Sequence, residues 1–156
     1  MDDFIPVNTP FLSGNEKTYL IECIDTGWIS SEGPFVKKFE TDFAEKTNRK
    51  YGIAVSNGSV ALDVAVAASG IKTNDEVILP TFTIISCAAA IVRAGAKPVV
   101  VDCDPATWNM DVKQIESKIN KRTKAIMVVH IYGLPVDMDP VLEIAQNYDL
   151  KIIEDA

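Results

Sequence analysis

The residues Tyr51-Gly52-Ile53-Ala54-Val55-Ser56-Asn57-Gly58-Ser59 place an apolar run directly before a polar turn and a helix rich in small residues. Near the other end, Ile152-Ile153-Glu154-Asp155 is again an apolar run that ends in acids. In an alternating α/β chain the carboxyl ends of parallel strands gather on one edge of the sheet, where ligands bind. We therefore expect the turn at Gly58 and the acid at Asp155 to face each other across such an edge.

Between these stretches, short runs rich in Val and Ile alternate with helical segments. Such runs are typical of buried parallel strands. The alternation predicts an α/β fold over residues 51–156, a parallel-rich sheet with helices on both faces and right-handed crossovers. The predicted strands are 51–55, 76–79, 98–102, 125–130 and 151–155, and the predicted helices are 59–69, 83–94, 111–119 and 137–148.

The first part of the chain has a different pattern, which predicts a helical arm over residues 1–50. Ser13-Gly14-Asn15-Glu16 has the spacing of a capping box and opens a helix that stops at Gly27. Pro34 suits the first position of a second helix, which is expected to end near Asn48. Aromatic residues recur every four positions on one face of that helix: Phe35, Phe39 and Phe43.

The composition excludes several classes of protein. A chain of 156 residues that is 47% hydrophobic and 24% charged has room for one soluble domain or part of one. Its formal charge of −7, with scattered Lys and Arg, offers no basic surface to nucleic acid. Residues 1–4 are acidic with no long apolar run after them, and residues 84–92 are too few to cross a bilayer. We expect a cytoplasmic protein with neither nucleic acid nor membrane as a partner.

The cysteines and the single histidine do not form a metal or hydrolase pattern. Cys23, Cys87 and Cys103 are far apart, without a C-x-x-C pair, and are expected to be reduced, buried thiols. His130 has no second imidazole nearby in sequence and no G-x-S-x-G elbow to serve. We expect no metal site, and we interpret His130 as a hydrogen-bonded structural or cleft-lining residue.

Two features at the predicted edge point to a phosphorylated, ring-shaped ligand. The free N–H groups where Gly58 and Ser59 begin a helix are suited to a phosphate. The alternative is that Gly58 forms a tight turn with Ser59 as a cap. Asp155 shares a strand face with Ile153, and a pyridinium nitrogen would supply the cation that a buried carboxylate needs. The alternative is that Asp155 caps a following segment.

Aromatic and apolar residues near the same edge offer further candidates. Phe82 or Ile84, which follow the second predicted strand, are placed to cover a flat ring, or they belong to the core. Trp28 lies in a turn outside the sheet pattern, and it packs within the protein or serves a ligand or a partner subunit.

The combined motifs resemble those of the DegT/DnrJ/EryC1/StrS aminotransferases. Their order and spacing match over essentially the whole chain, and the Gly-Trp-Ile-Ser-Ser segment is most similar to the GDP-perosamine synthase branch of that family. The motifs are Thr26-Gly27-Trp28-Ile29-Ser30-Ser31-Glu32-Gly33-Pro34, Ser56-Asn57-Gly58-Ser59-Val60-Ala61-Leu62, Asp75-Glu76-Val77-Ile78-Leu79-Pro80-Thr81-Phe82-Thr83, Val129-His130-Ile131-Tyr132-Gly133 and Ile153-Glu154-Asp155-Ala156.

This resemblance implies a fold-type I pyridoxal-phosphate enzyme that moves an amino group from glutamate to a nucleotide-linked 4-keto-6-deoxy sugar, working as a homodimer. Gly58 and Ser59 would bind the cofactor phosphate, and Asp155 would pair with the pyridine nitrogen. Ile84 stands where the family usually has an aromatic residue against the cofactor face. The residues expected on the substrate side are Trp28, Ser30 and His130.

The resemblance also implies that the chain is the N-terminal portion of a large domain, with residues 51–156 as a partial cofactor domain. No lysine in the sequence matches the family's Schiff-base lysine, so we expect residues 1–156 alone to be inactive. Two rivals stay open. One is a pyridoxal-phosphate sugar dehydratase of the same family, and the other is a non-catalytic α/β module that binds a phosphorylated ligand or supports assembly.

Overall fold

A computed structural model describes residues 4–6 and 8–156. The acidic start that we interpreted at residues 1–4 therefore lies largely outside the described residues. The chain forms two compact units, one that ends at Ala54 and one that runs from Val55 to Ala156. Along the described residues, no helix is both long and apolar enough to cross a lipid bilayer.

The described residues of the N-terminal unit form two helices, α1 (Glu16–Thr26) and α2 (Pro34–Lys46). Gly27 ends α1 in the left-handed conformation with φ 75°, as expected of a glycine stop. Pro34 begins α2, as predicted, and α2 ends at Lys46, two residues before Asn48. The predicted capping box at Ser13 is wrong, because the N-cap of α1 is Asn15, two residues later, and it makes no side-chain cap bond.

The predicted strand 51–55 is not a strand. A strand requires a neighbour whose backbone pairs with its own, and no described strand pairs with this segment. The segment lies instead against α2, where the Ala54 N–H donates to Glu40 Oε1 at 2.8 Å. Gly52 permits this approach, since a Cβ there would collide with the Glu40 carbonyl oxygen. The apolar pattern predicted a strand here, and the structure has none.

The second unit is a four-stranded parallel sheet with helices between the strands, so the α/β class is confirmed. The spatial order of the strands is β2-β1-β3-β4. The elements are α3 (Gly58–Ala68), β1 (Glu76–Pro80), α4 (Ile85–Arg93), β2 (Lys97–Val101), α5 (Ile115–Lys118), β3 (Thr123–Val129), α6 (Met138–Asn147) and β4 (Lys151–Asp155).

Alternate residues of β1, β3 and β4 contribute to two cores, one on each face of the sheet, and β2 contributes to one of them. On the α3–α4 face, Val77, Met127 and Ile153 pack in one cluster. On the α5–α6 face, Ile78 and Ile126 pack in the other. Both faces of the sheet are therefore covered, which explains why its strands read as continuous apolar runs.

The predicted helix 111–119 is divided and shorter than expected. Asp111 caps a 3-10 turn at Val112–Gln114 by accepting from the Lys113 N–H at 3.2 Å. The α-helical part that follows ends at Lys118, because Ile119 is already extended with ψ 134°. The capping side chain favours the tight turn over a full α-helical start.

Glu76 is a buried carboxylate at the amino end of the sheet, only 3% exposed. Its Oε2 accepts from Asn120 Nδ2 at 2.6 Å, and its Oε1 accepts from Arg122 Nη2 at 2.7 Å. These hydrogen bonds, that from Asn120 first, lower the pKa of Glu76 below its ordinary value of 4.5. The group thus joins β1 to the turn that begins β3.

We expect Glu76→Gln to lower the free energy of unfolding at neutral pH by about 1–3 kcal/mol, the cost of weakening buried charge-assisted hydrogen bonds. Because the folded pKa lies below 4.5, the stabilisation is complete above that pH and is lost as the pH falls through the folded value. Denaturant unfolding measured across this range should show the variant and the parent converging in acid. The exposed Glu143→Gln is the control, and a difference that does not change with pH would contradict this assignment.

Candidate active site at the carboxyl edge of the sheet

The first turn of α4 connects the two features that were predicted to face each other. Ser86 Oγ lies 2.8 Å from the Ser59 Oγ at the start of α3. The next residue, Cys87, donates from Sγ to Asp155 Oδ2 at 3.1 Å. Adjacent residues of one helical turn therefore contact the start of α3 and the end of β4. The predicted convergence of Gly58, Ser59 and Asp155 agrees with these contacts.

The start of α3 leaves two backbone donors available for an anion. Asn57 is the N-cap, and its Oδ1 accepts from the Val60 N–H at 3.0 Å. The N–H groups of Gly58 and Ser59 have no hydrogen-bond partner among the described residues. A Cβ on Gly58 would meet no atom within 4 Å, so the space beside these donors is open. The alternative in which Ser59 caps the helix is wrong, because Asn57 does so.

Asp155 is a half-buried carboxylate with no cationic partner in the described part of the chain. It ends β4 in register with Val129, and its carbonyl oxygen accepts from the His130 N–H at 2.9 Å. Ile153 belongs to the core on the α3–α4 face, and Asp155 contacts Cys87 of that same core, so the predicted sharing of a face is correct. A positively charged ring nitrogen would compensate this carboxylate.

Cys87 is fully buried, whereas Cys23 and Cys103 are only half-buried. All three are free thiols, so the expectation of buried thiols is right for Cys87 alone. Burial raises the pKa of the Cys87 thiol to about 11, with a further increase from Asp155 that the Thr83 hydrogen bond opposes. The thiol is therefore protonated at neutral pH and does not act as a nucleophile.

His130 connects β4 to the loop that follows β3. Its Nδ1 accepts from the Val136 N–H at 3.1 Å, which places the proton of the neutral ring on Nε2. Nε2 lies 3.4 Å from Glu154 Oε2, and the side chain is largely buried. The structure thus gives His130 the hydrogen-bonded role that was one of its two interpretations, and its contact with substrate stays a prediction.

The apolar candidates beyond β1 differ in availability. Ile84 is the N-cap residue of α4 and is 60% exposed, so its side chain is available to a ligand. The Phe82 ring is instead engaged with Trp108 and Tyr132, at centroid distances of 5.4 and 6.4 Å. This aromatic group was not predicted from the sequence, although Trp108 and Tyr132 follow β2 and β3 and so lie beyond the carboxyl ends of strands.

Trp28 and Ser30 lie in the N-terminal unit. Both line a largely apolar cavity of about 330 Å³ together with Phe35 of α2. Trp28 is half exposed, and its Cβ lies 3.3 Å from where a Cβ on Gly33 would stand. The cavity leaves the indole both packed and accessible, which is compatible with each of the roles proposed for it.

No group of His, Cys, Asp and Glu in the described ranges is arranged to hold a metal ion. Lys97 and Lys151 are the first residues of β2 and β4, at the amino edge of the sheet and away from Asp155. The residues present do fit pyridoxal phosphate, because two open N–H donors match its phosphate and an uncompensated carboxylate matches its ring nitrogen.

The fold is that of the large domain of fold-type I pyridoxal-phosphate transferases. The model for the DegT/DnrJ/EryC1/StrS aminotransferase family matches residues 11–156, and the chain belongs to that family. The GDP-perosamine synthase of Escherichia coli O157:H7 is 51% identical over 97% of the chain. The chain spans 42% of that relative's length.

Two solved structures have the same fold, and their names indicate different reactions. The structure of 3-amino-5-hydroxybenzoic acid synthase is 35% identical with a TM-score of 0.88, covering 94% of this chain and 38% of that one. The E. coli GDP-4-keto-6-deoxy-D-mannose-3-dehydratase with bound hydrated pyridoxal phosphate is 27% identical with a TM-score of 0.88. It covers 97% of this chain and 40% of that one.

Proposed function

We propose that the full-length protein is a pyridoxal-phosphate aminotransferase that moves an amino group from glutamate to a nucleotide-linked 4-keto-6-deoxy sugar of the perosamine type. The observation that carries this proposal is the pair of contacts from Ser86 and Cys87, which join the open helix start to the unpaired carboxylate. The 51% identity to a GDP-perosamine synthase supports the choice of substrate class.

In this proposal the Gly58 and Ser59 N–H groups bind the cofactor phosphate, and the Asp155 carboxylate pairs with the ring nitrogen. Ile84 covers the ring face, where its exposed side chain offers weaker stacking than an aromatic residue would. When bound, pyridoxal phosphate supplies an electron sink for cleaving a bond to the carbon that carries the amino group. Asp155 retains the proton on the ring nitrogen, which maintains that capacity.

Trp28, Ser30 and His130 are proposed to contact the sugar nucleotide. We also propose that residues 1–50 form an arm and residues 51–156 a cofactor-binding domain, that two copies of the protein assemble, and that it acts in the cytoplasm. The division of contacts between Ala54 and Val55 supports the first of these. The Trp28 cavity supports a ligand or a partner copy near the arm.

A second candidate is a sugar dehydratase, because such an enzyme has the same fold with a TM-score of 0.88. Its identity of 27% against 51% for the aminotransferase makes it the weaker choice. The two reactions differ in the fate of nitrogen, since an aminotransferase retains it in the sugar and a dehydratase does not.

We therefore expect the full-length protein to take up pyridoxal phosphate, to show a glutamate-dependent absorbance change, and to transfer ¹⁵N from labelled glutamate into GDP-4-keto-6-deoxymannose. Mass spectrometry of the sugar product is the measurement. A product that has lost oxygen without gaining ¹⁵N would favour the dehydratase. Cofactor uptake with no glutamate-dependent change would favour a non-catalytic phosphate-binding module.

A further inference from the structure

Three side chains form a short hydrogen-bonded series that ends on Asp155. Thr83 Oγ1 donates to Cys87 Sγ at 3.1 Å, and Cys87 Sγ donates to Asp155 Oδ2 at 3.1 Å. Cys87 is fully buried in the core on the α3–α4 face of the sheet. The other oxygen of the Asp155 carboxylate, Oδ1, accepts no hydrogen bond from the described residues.

The direction of this series follows from the chemistry of its members. An ionised carboxylate only accepts hydrogen bonds, and a thiol has a single proton to donate. The Cys87 proton therefore points to Asp155, and the sulfur lone pairs face the Thr83 hydroxyl. The raised pKa of Cys87, about 11, keeps that proton in place at neutral pH.

We propose that Cys87, held by Thr83, is a positioning residue for Asp155. Its thiol fixes Oδ2 and thereby directs Oδ1 towards the ligand. This inference rests on the proposed function, in which Asp155 pairs with the ring nitrogen of the cofactor. It assigns to a core cysteine a part in the site that packing alone would not give it.

Packing and positioning make different demands at this position. Apart from Thr83 and Asp155, the residues clustered with Cys87 in the core are apolar, among them Leu62, Val66 and Val129, so an aliphatic side chain is compatible with the core. Only a donor satisfies Asp155. A Val substitution therefore removes the hydrogen bond while keeping the position filled and apolar, and a Ser substitution restores a donor.

The hydrogen bond itself is testable in the protein without cofactor by infrared spectroscopy. In a background where every other cysteine of the full-length protein is replaced by Ser, Cys23 and Cys103 among them, Cys87 supplies the only thiol, and the S–H stretch falls where other protein groups do not absorb. We expect a band shifted to low wavenumber, which Asp155→Asn moves upward because a neutral amide is the weaker acceptor. Asp102→Asn is the matched control and should leave the band in place.

The positioning role is testable in the full-length enzyme. Cys87→Val should lower kcat for the glutamate half-reaction about threefold to tenfold, the size of one hydrogen bond, with little change in KM. Cys87→Ser should recover most of that loss. Cys103→Val removes a comparable contact, with Thr81 at 3.4 Å, and should have no effect on the rate.

The pairing with Thr83 gives a further check. Thr83→Val should lower kcat in the same direction but by less, and it should add nothing to Cys87→Val because both act on Asp155 through the same thiol. Circular dichroism on each variant tests that the fold is retained.

The outcomes separate this inference from the proposed function. If Asp155→Asn abolishes the half-reaction while Cys87→Val matches the parent, the positioning role is overturned and the function stands. If Asp155→Asn leaves the rate intact, the proposed function of Asp155 fails whatever Cys87 does. If the wavenumber of the S–H band does not change in Asp155→Asn, the hydrogen bond on which the inference depends is overturned.

Discussion

The substitution Asp155→Asn should reduce the rate of the glutamate half-reaction by about a hundredfold to a thousandfold in the full-length protein. Asparagine retains the size of the side chain and can still accept from Cys87, so the change removes the charge and little else. Without that charge the ring nitrogen loses its stabilising partner, and the bound cofactor accepts electrons less readily. Single-turnover absorbance after mixing with glutamate measures the rate.

The control for this experiment is Asp102→Asn. Asp102 follows β2 at the same edge of the sheet and is held by local contacts, with the Cys103 N–H at 2.8 Å from its Oδ1. It should leave the rate unchanged, and cofactor should stay bound in both variants. A rate for Asp155→Asn within about threefold of the parent, less than 1 kcal/mol of barrier, would mean that Asp155 is structural.

The sequence predicts the position of a site residue well where that residue lies at the end of a strand. Parallel strands bring their carboxyl ends together, and strand alternation fixes the face of each residue. These rules placed Asp155 on the same face as Ile153 and near the start of α3, as the structure has them. They required no knowledge of any side-chain contact.

The same rules fail where the outcome depends on pairing or on rotamers. The run 51–55 has strand composition, but its backbone meets the Glu40 side chain and not another strand. The roles of Ser86 and Cys87 depend on which side of α4 faces α3 and β4. Sequence spacing identifies a helix but does not identify the atom that each side chain meets across the core.

The substitution Gly58→Val should weaken pyridoxal-phosphate binding by about tenfold to a hundredfold, or 1.4–2.7 kcal/mol, while the fold is retained. The structure explains why binding should weaken although the fold is retained. A Cβ at this position meets no protein atom within 4 Å, so the substitution introduces no clash within the protein. The backbone N–H donors also survive the change, and only the open space beside them is filled.

Cofactor titration followed by fluorescence or absorbance measures the affinity, and circular dichroism measures the fold. Ala67→Val is the matched control, because it adds the same side chain to an exposed position near the other end of α3. It places the same β-branched residue in the same helix, away from the proposed phosphate site, and should leave the affinity unchanged. If Gly58→Val binds as tightly as the control, the phosphate does not lie beside Gly58. The α3 start would then have the role of an ordinary capped helix, and the available N–H groups of Gly58 and Ser59 would face water.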